Sequence, residues 1–374
     1  MCTMTESASF SGFEIRGLLL TALLLLSTPG FCASRKPVRA PHGMVVSADS
    51  LASAAGVEVL RQGGNAVDAA VMMGFVMAVT YPEAGNLGGG GFMLIRMADG
   101  RTTMIDFRET APAASRKNLF LDSEGNPVPG MSQKSTLAAG VPGTVAGLLL
   151  ALERYGTKRR SDLLSVPLKV AEEGFRVNER LAESLERYLP DSLASCSALS
   201  MFRPNGISYR AGDLLKQPDL AATIRAIMER GADGFYQGPV ADQIVAGVKD
   251  GGGIMTREDL SGYRAVERVP LTGSYRGYEI VTSAPPAGGG VTLLELLNIL
   301  EQFDMGEKGH NSSRALHLFA AAAQRAYADR ARYLGDPDFV SMPIDSLIGK
   351  AYGARNAGMI DSLHATASPA PVEG

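Results

Sequence analysis

The chain opens into alternating apolar blocks and Gly- or Asn-marked breaks. Met44-Val-Val-Ser47 is a short apolar run and predicts a strand. Asp49 or Ser50 then caps a helix towards Leu60, which stops at Gly63-Gly64. Asn65 caps a second helix over Ala66–Val79, apolar almost all round apart from Asp68. A helix with no polar face is buried between layers rather than lying on a surface. If a second chain covers it, this chain alone exposes apolar surface and is poorly soluble.

Further along, Phe92–Met97 and Thr102–Arg108 flank the turn Ala98-Asp99-Gly100, which predicts a β-hairpin. Val141-Pro142-Gly143 opens a helix towards Leu152, and Val166–Glu173 forms another that stops at Gly174. Residues 178–265 are mainly helical, with Gly breaks at Gly231, Gly238 and Gly251–Gly253. Thr256-Arg-Glu-Asp-Leu is a short capped helix. Strands return over Val269–Ser283, then helices over Val291–Leu300 and Asn311–Leu334. Strands in a few clusters with helices elsewhere imply sheets covered by helices, an α/β (α+β) class rather than an alternating βαβ chain.

The two ends differ from this pattern. Residues 1–33 read as a secretory signal: Arg16 is followed by the apolar run Gly17–Ser27, broken at Thr28-Pro29-Gly30. The run is too short for a membrane span of about 20 residues. Cleavage after Gly30 or Cys32 suits the small-residue rule. An uncleaved anchor or a lipid on Cys32 are the alternatives. The expectation is export, to a periplasm or the medium, with no stable membrane span afterwards. Cys2 and Cys32 leave with the signal, and Cys196 is then alone. The end of the chain, 362–374, is small, Pro-rich and without period, and reads as a flexible tail.

Composition narrows the chemistry. With 374 residues, 45% apolar and 20% charged, the chain can bury a large core. A net charge of −3 excludes a nucleic-acid binder held by bulk positive charge. Three Cys and four His, widely scattered, exclude a disulfide scaffold and give no metal site, and no cofactor is called for. The run Gly88-Gly89-Gly90-Gly91 could be a phosphate cradle, but Phe92 and Met93 stand where a P-loop needs Lys and Ser or Thr. Backbone chemistry, meaning positive φ and close approach of the main chain, is the better reading; a tight turn in the core is its plain counterpart. On the strand Thr103–Glu109, Ile105 and Phe107 share one face and Asp106 and Arg108 the other. The Arg108 guanidinium can hold a carboxylate with two parallel bonds, or it simply pairs with Asp106. No Gly-x-Ser-x-Gly is present, and no His has a partner motif, so no self-sufficient catalytic group is visible. Glu172-Glu173 and Asp336/Asp338 read as helix-surface and turn carboxylates.

An ordered set of segments says more. Gly63-Gly-Asn-Ala-Val-Asp-Ala-Ala70, Pro82-Glu-Ala-Gly-Asn-Leu-Gly-Gly-Gly-Gly-Phe-Met93 and Ile105-Asp-Phe-Arg-Glu-Thr-Ala-Pro112 come first. Gly140-Val-Pro-Gly-Thr-Val-Ala-Gly147, Tyr275-Arg-Gly-Tyr278, Tyr327-Ala-Asp-Arg330 and Tyr333-Leu-Gly-Asp-Pro-Asp338 follow. In this order the chain resembles the large subunit of the γ-glutamyltranspeptidases (glutathione hydrolases) over roughly 40–355. The resemblance implies an N-terminal-nucleophile hydrolase, a four-layer αββα sandwich of which this chain is the large-subunit part, over 34–361. It implies a precursor that cuts itself before a Thr, and a heterodimer in which that Thr, on the small subunit, attacks the γ-carbonyl of a γ-glutamyl compound such as glutathione. Water or an acceptor amino acid then takes the acyl group. Arg108 matches the family arginine that grips the α-carboxylate, and Gly88–Gly91 match a motif read as support for the site. The family's Thr-Thr-His segment is absent here; Thr366 is the only Thr of the tail. The chain alone is therefore expected to be inactive. The alternatives are a truncated, inactive remnant, or a subunit of the related cephalosporin and glutaryl acylases; an α-carboxylate clamp suits glutamyl donors better.

Overall fold

The computed structural model describes residues 37–188 and 200–365. The signal over 1–33, Cys196 and all but the first residues of the tail lie outside them. The chain divides into two units, Met1–Met44 and Val45–Gly374. In the first, the described residues 37–44 have no regular structure. In the second, Val45–Ser47 form no strand either. Val46 is 80% exposed, and no neighbouring strand takes up its peptide groups, so the apolar run is not extended into a ladder.

Helix α1 (Ser50–Arg61) begins where Asp49 accepts the Ala52 N–H, and α2 (Ala66–Thr80) begins with a capping box between Asn65 and Asp68. Strands β1 (Phe92–Arg96) and β2 (Thr102–Asp106) form the expected hairpin, and Gly100 takes the left-handed turn position with φ 88°. Helices α3 (Thr144–Tyr155) and α4 (Arg160–Glu173) follow; α4 starts well before the predicted run from Val166 and carries Pro167 inside it. The two-residue strands β3 (Phe175–Arg176) and β4 (Leu214–Leu215) pair with each other. Helices α5 (Glu179–Tyr188), α6 (Pro218–Arg230) and α7 (Pro239–Asp250) make up the helical middle. Strand β5 (Val266–Arg268), which the pattern does not predict, joins the hairpin in an antiparallel sheet of order β1-β2-β5. Strands β6 (Leu271–Tyr275) and β7 (Tyr278–Thr282) form a second hairpin, and helices α8 (Gly289–Leu300), α9 (Ser313–Tyr333) and α10 (Lys350–Gly358) end the unit.

Side-chain alternation along β2 decides the layering. Ile105 and Phe107 point towards α3, whose Gly147 leaves room for the Phe107 ring; a Cβ there would run into it. Behind α3 lies α2, flanked by α1 and α4. Helix α2 is covered by these neighbours within the chain, with Phe75, Val71 and Val79 fully buried. Its apolar surface therefore needs no second subunit, contrary to the expectation from its sequence. On the sheet's other face, Arg96 pairs with Glu279 of β7 at 3.1 Å, and Met104 Sδ accepts the Ala284 N–H at 3.2 Å. Beyond β6 lies α8, with Leu294 filling the space over Gly273. Contacts thus run helix, sheet, hairpin, helix, in the order of an αββα arrangement.

Candidate functional site

The continuation of β2, Phe107-Arg108-Glu109, is held from three directions. Phe107 exchanges backbone hydrogen bonds with Gly91, giving its N–H at 3.0 Å and accepting at 3.2 Å, so the glycine run extends the ladder. The Gly89 carbonyl accepts the N–H groups of Gly143 (2.8 Å) and Thr144 (3.0 Å), which are free donors at the start of α3. Gly90 lies so close that a Cβ would stand 2.5 Å from the Phe107 oxygen and 2.8 Å from the Glu109 nitrogen. Close approach is thus what the run provides. The positive φ expected of it is not used: none of Gly88, Gly89, Gly90 and Gly91 adopts one.

Arg108 itself is fixed at its root. Its N–H donates to Asp106 Oδ1 at 3.1 Å, and its carbonyl accepts the Tyr263 hydroxyl at 2.8 Å. Burial pushes the Tyr263 phenol up, with the nearby negative charges of Asp106 and Glu109 adding to it, so it remains a neutral donor. Tyr263 stacks on Tyr236, whose hydroxyl donates to the Pro142 carbonyl at 2.8 Å. The guanidinium is exposed, and among the described residues no carboxylate pairs with it. The simple Asp106–Arg108 ion pair does not form. Asp106 Oδ2 instead accepts Arg268 Nε at 2.7 Å, and the two terminal nitrogens of Arg268 donate to both oxygens of Asp338, at 3.3 and 3.0 Å. The hydrogen bonds from Arg268 hold the Asp338 carboxyl below its ordinary range. Asp338 is thus more than a turn residue.

Arg108 opens into a cleft of about 580 Å³. Asp106, Glu109, Tyr263, Arg268, Arg330 and Asp336 are among the residues that line it with Arg108. Three of the separate sequence motifs therefore meet here. Among the described residues, no histidine or cysteine lines the cleft, and no three His, Cys, Asp or Glu side chains stand together as a metal site. His317 Nε2 donates to the Asp361 carbonyl, and His364 pairs with the Asp361 carboxylate; both lie outside the cleft. The wall is suited to gripping an anion with a planar fork. A second cleft, about 750 Å³, borders α3, but its cations are already engaged. Lys158 donates to the Gln62 carbonyl at 2.6 Å, and Arg160 to the carbonyls of Met228 and Glu229 at the end of α6.

Sequence reasoning finds Arg108 and the glycine run. It misses Tyr263, Arg268 and the role of Asp338, which lie on β5 and on loops far along the chain. The one available signal is that Asp338 stands in a motif shared with the family.

Comparison with known proteins identifies the family. The family model described as Gamma-glutamyltranspeptidase matches residues 52–373. The glutathione hydrolase proenzyme of Escherichia coli (strain K12) is 48% identical over 326 residues, covering 87% of this chain and 56% of the relative. That of Pseudomonas sp. (strain A14) is 46% identical over 341 residues, covering 91% and 59%. The chain thus spans under two thirds of the length of these relatives. The crystal structure of Helicobacter pylori γ-glutamyltranspeptidase superposes with a TM-score of 0.85 at 46% identity, covering 89% of this chain and 96% of that one. The chain belongs to the γ-glutamyltranspeptidase family.

Proposed function

We propose that this chain is the donor-gripping large part of an exported γ-glutamyl hydrolase or transferase. In this reading Arg108 holds the α-carboxylate of a γ-glutamyl donor such as glutathione by two parallel hydrogen bonds. The carrying observation is a guanidinium that is open to a cleft while its own peptide is fixed on both sides. A clamp of that kind turns the donor so that its γ-carbonyl meets the nucleophile in one orientation. Gly88–Gly91 support it by locking Phe107 and Glu109 against the start of α3.

The nucleophile is assigned to a Thr at the N-terminus of a small subunit. Its hydroxyl attacks the γ-carbonyl, its own α-amine takes the proton, and backbone N–H groups hold the oxyanion; the amide C–N bond then breaks, and the departing amine leaves with that proton. Water or an amino acid releases the acyl group. Support comes from the family match over residues 52–373. Coverage adds to it: 96% of the Helicobacter pylori chain but 56% of the Escherichia coli proenzyme. Export rests on the apolar run within 1–33; among the described residues no helix is long and apolar enough to cross a membrane.

An acylase reading has a relative of its own, the Acylase ACY 1 proenzyme of Pseudomonas sp. (strain SE83), 36% identical over 350 residues. The open Arg108 fork favours the glutamyl donor. The test is to purify the protein from its native source, sequence its N-termini, weigh it intact and assay a γ-glutamyl anilide. A second polypeptide beginning with Thr, and activity only in its presence, is the expected result. A preparation of this chain alone, without activity, overturns the assignment.

A further inference from the structure

Arg108 has a carboxylate two residues away on its own strand face, and that carboxylate is the natural competitor for its guanidinium. Asp106 is nearly buried, its side chain 7% exposed, so its charge is poorly screened. What keeps it off the Arg108 side chain is Arg268, which reaches from β5 to Asp106 Oδ2 at 2.7 Å. Arg268 is in turn held by both oxygens of Asp338, at 3.3 and 3.0 Å, from the turn beyond α9. That turn is itself set by the Asp336 side chain, which accepts the Asp338 N–H at 3.0 Å.

We infer that Asp338 is a positioning residue for donor binding: through Arg268 it neutralises Asp106 and so leaves the Arg108 fork free for the donor's α-carboxylate. The two ends of the relay act on different atoms. Asp106 Oδ1 fixes the Arg108 peptide, and Arg268 occupies Oδ2. Loss of the Asp338 charge lets Arg268 swing into the cleft and exposes Arg108 to capture by Asp106. The donor then has to displace an internal carboxylate before it can bind. The inference rests on the clamp reading of Arg108 and deepens it.

The experiment uses the assembled enzyme and two donors, a γ-glutamyl anilide and the same anilide without the α-carboxylate. Arg108→Lys first tests the clamp: KM should rise for the γ-glutamyl donor and not for the other. Asp338→Asn should then raise KM for the γ-glutamyl donor by about tenfold, with kcat changed less and with the second donor little affected. Asp338→Glu should restore part of the loss. The double variant should be no worse than Arg108→Lys alone, because both act on one contact. Arg268→Lys, which keeps the charge but loses the fork, should move KM in the same direction and serves if Asp338→Asn does not fold. If Arg108→Lys discriminates between donors but Asp338→Asn does not, or if the two effects add, the positioning role is wrong and the clamp stands. If Arg108→Lys fails to discriminate, the clamp itself is wrong.

Discussion

Arg108 gives its N–H to Asp106 and its carbonyl to Tyr263, so its side chain swings from a fixed root. Glu295 is a second residue whose surroundings set its behaviour. It is 1% exposed on α8, beside Asp329 of α9, and Asn356 of α10 donates to it at 3.4 Å. Tyr352 donates its hydroxyl to Asp329 at 2.5 Å. Burial, then the Asp329 carboxyl, push Glu295 from an ordinary 4.5 up to about 8. The folded chain therefore holds a proton that the unfolded chain releases, and this stability is full below pH 4.5 and lost as the pH rises through about 8. Glu295→Gln keeps a neutral side chain there at every pH. Thermal melts of this variant should depend less on pH across that window, and at its upper end the variant should outlast the parent. An unchanged pH slope would contradict this. None of this is legible in the sequence, since Glu295 and Asp329 meet only when α8 and α9 pack.

At the scale of elements, the caps are legible and the short strands are not. Asn65 with Asp68 and Thr256 with Asp259 carry their hydrogen-bond partners within four residues, so the local sequence contains the whole motif. Strand β5 is three residues long and owes its existence to β2, a partner far away in the chain. Asp68 also shows a cap doing more than the pattern implies. It is fully buried and accepts the N–H groups of Asn65, Thr157 and Lys158 and the Thr157 hydroxyl, tying α2 to the loop between α3 and α4. Burial pushes its carboxyl up, but these hydrogen bonds outweigh burial and hold it below its ordinary value. The sign is opposite to that of Glu295: this stability is present above pH 3.8 and is lost as the pH falls. Asp68→Ala leaves three backbone donors without an acceptor and should cost about 3 kcal/mol. A melting temperature equal to that of the parent would show that the donors find other partners.

For the molecule as a whole, the predicted αββα order is visible in the contacts, yet the site of its exposed apolar surface differs from the expectation. Helix α2 is covered within the chain. Helix α9 instead presents Leu316, Phe319 and Tyr327 on one face, each at least half exposed. Val269 and Phe339 are both 85% exposed. Periodicity alone could not distinguish these helices, because α2 is the more apolar of the two and the less exposed. The chain prepared without a partner should therefore associate, as static light scattering would register; a monodisperse, cooperatively melting preparation would contradict the need for one.

The central claim is that Arg108 grips the donor's α-carboxylate, and KM of Arg108→Lys for a γ-glutamyl anilide tests it most directly. Lys keeps the charge but loses the planar fork, so binding should weaken by about 2 kcal/mol, a rise in KM of about 30-fold. An unchanged KM would contradict the clamp and leave the cleft without its assigned ligand.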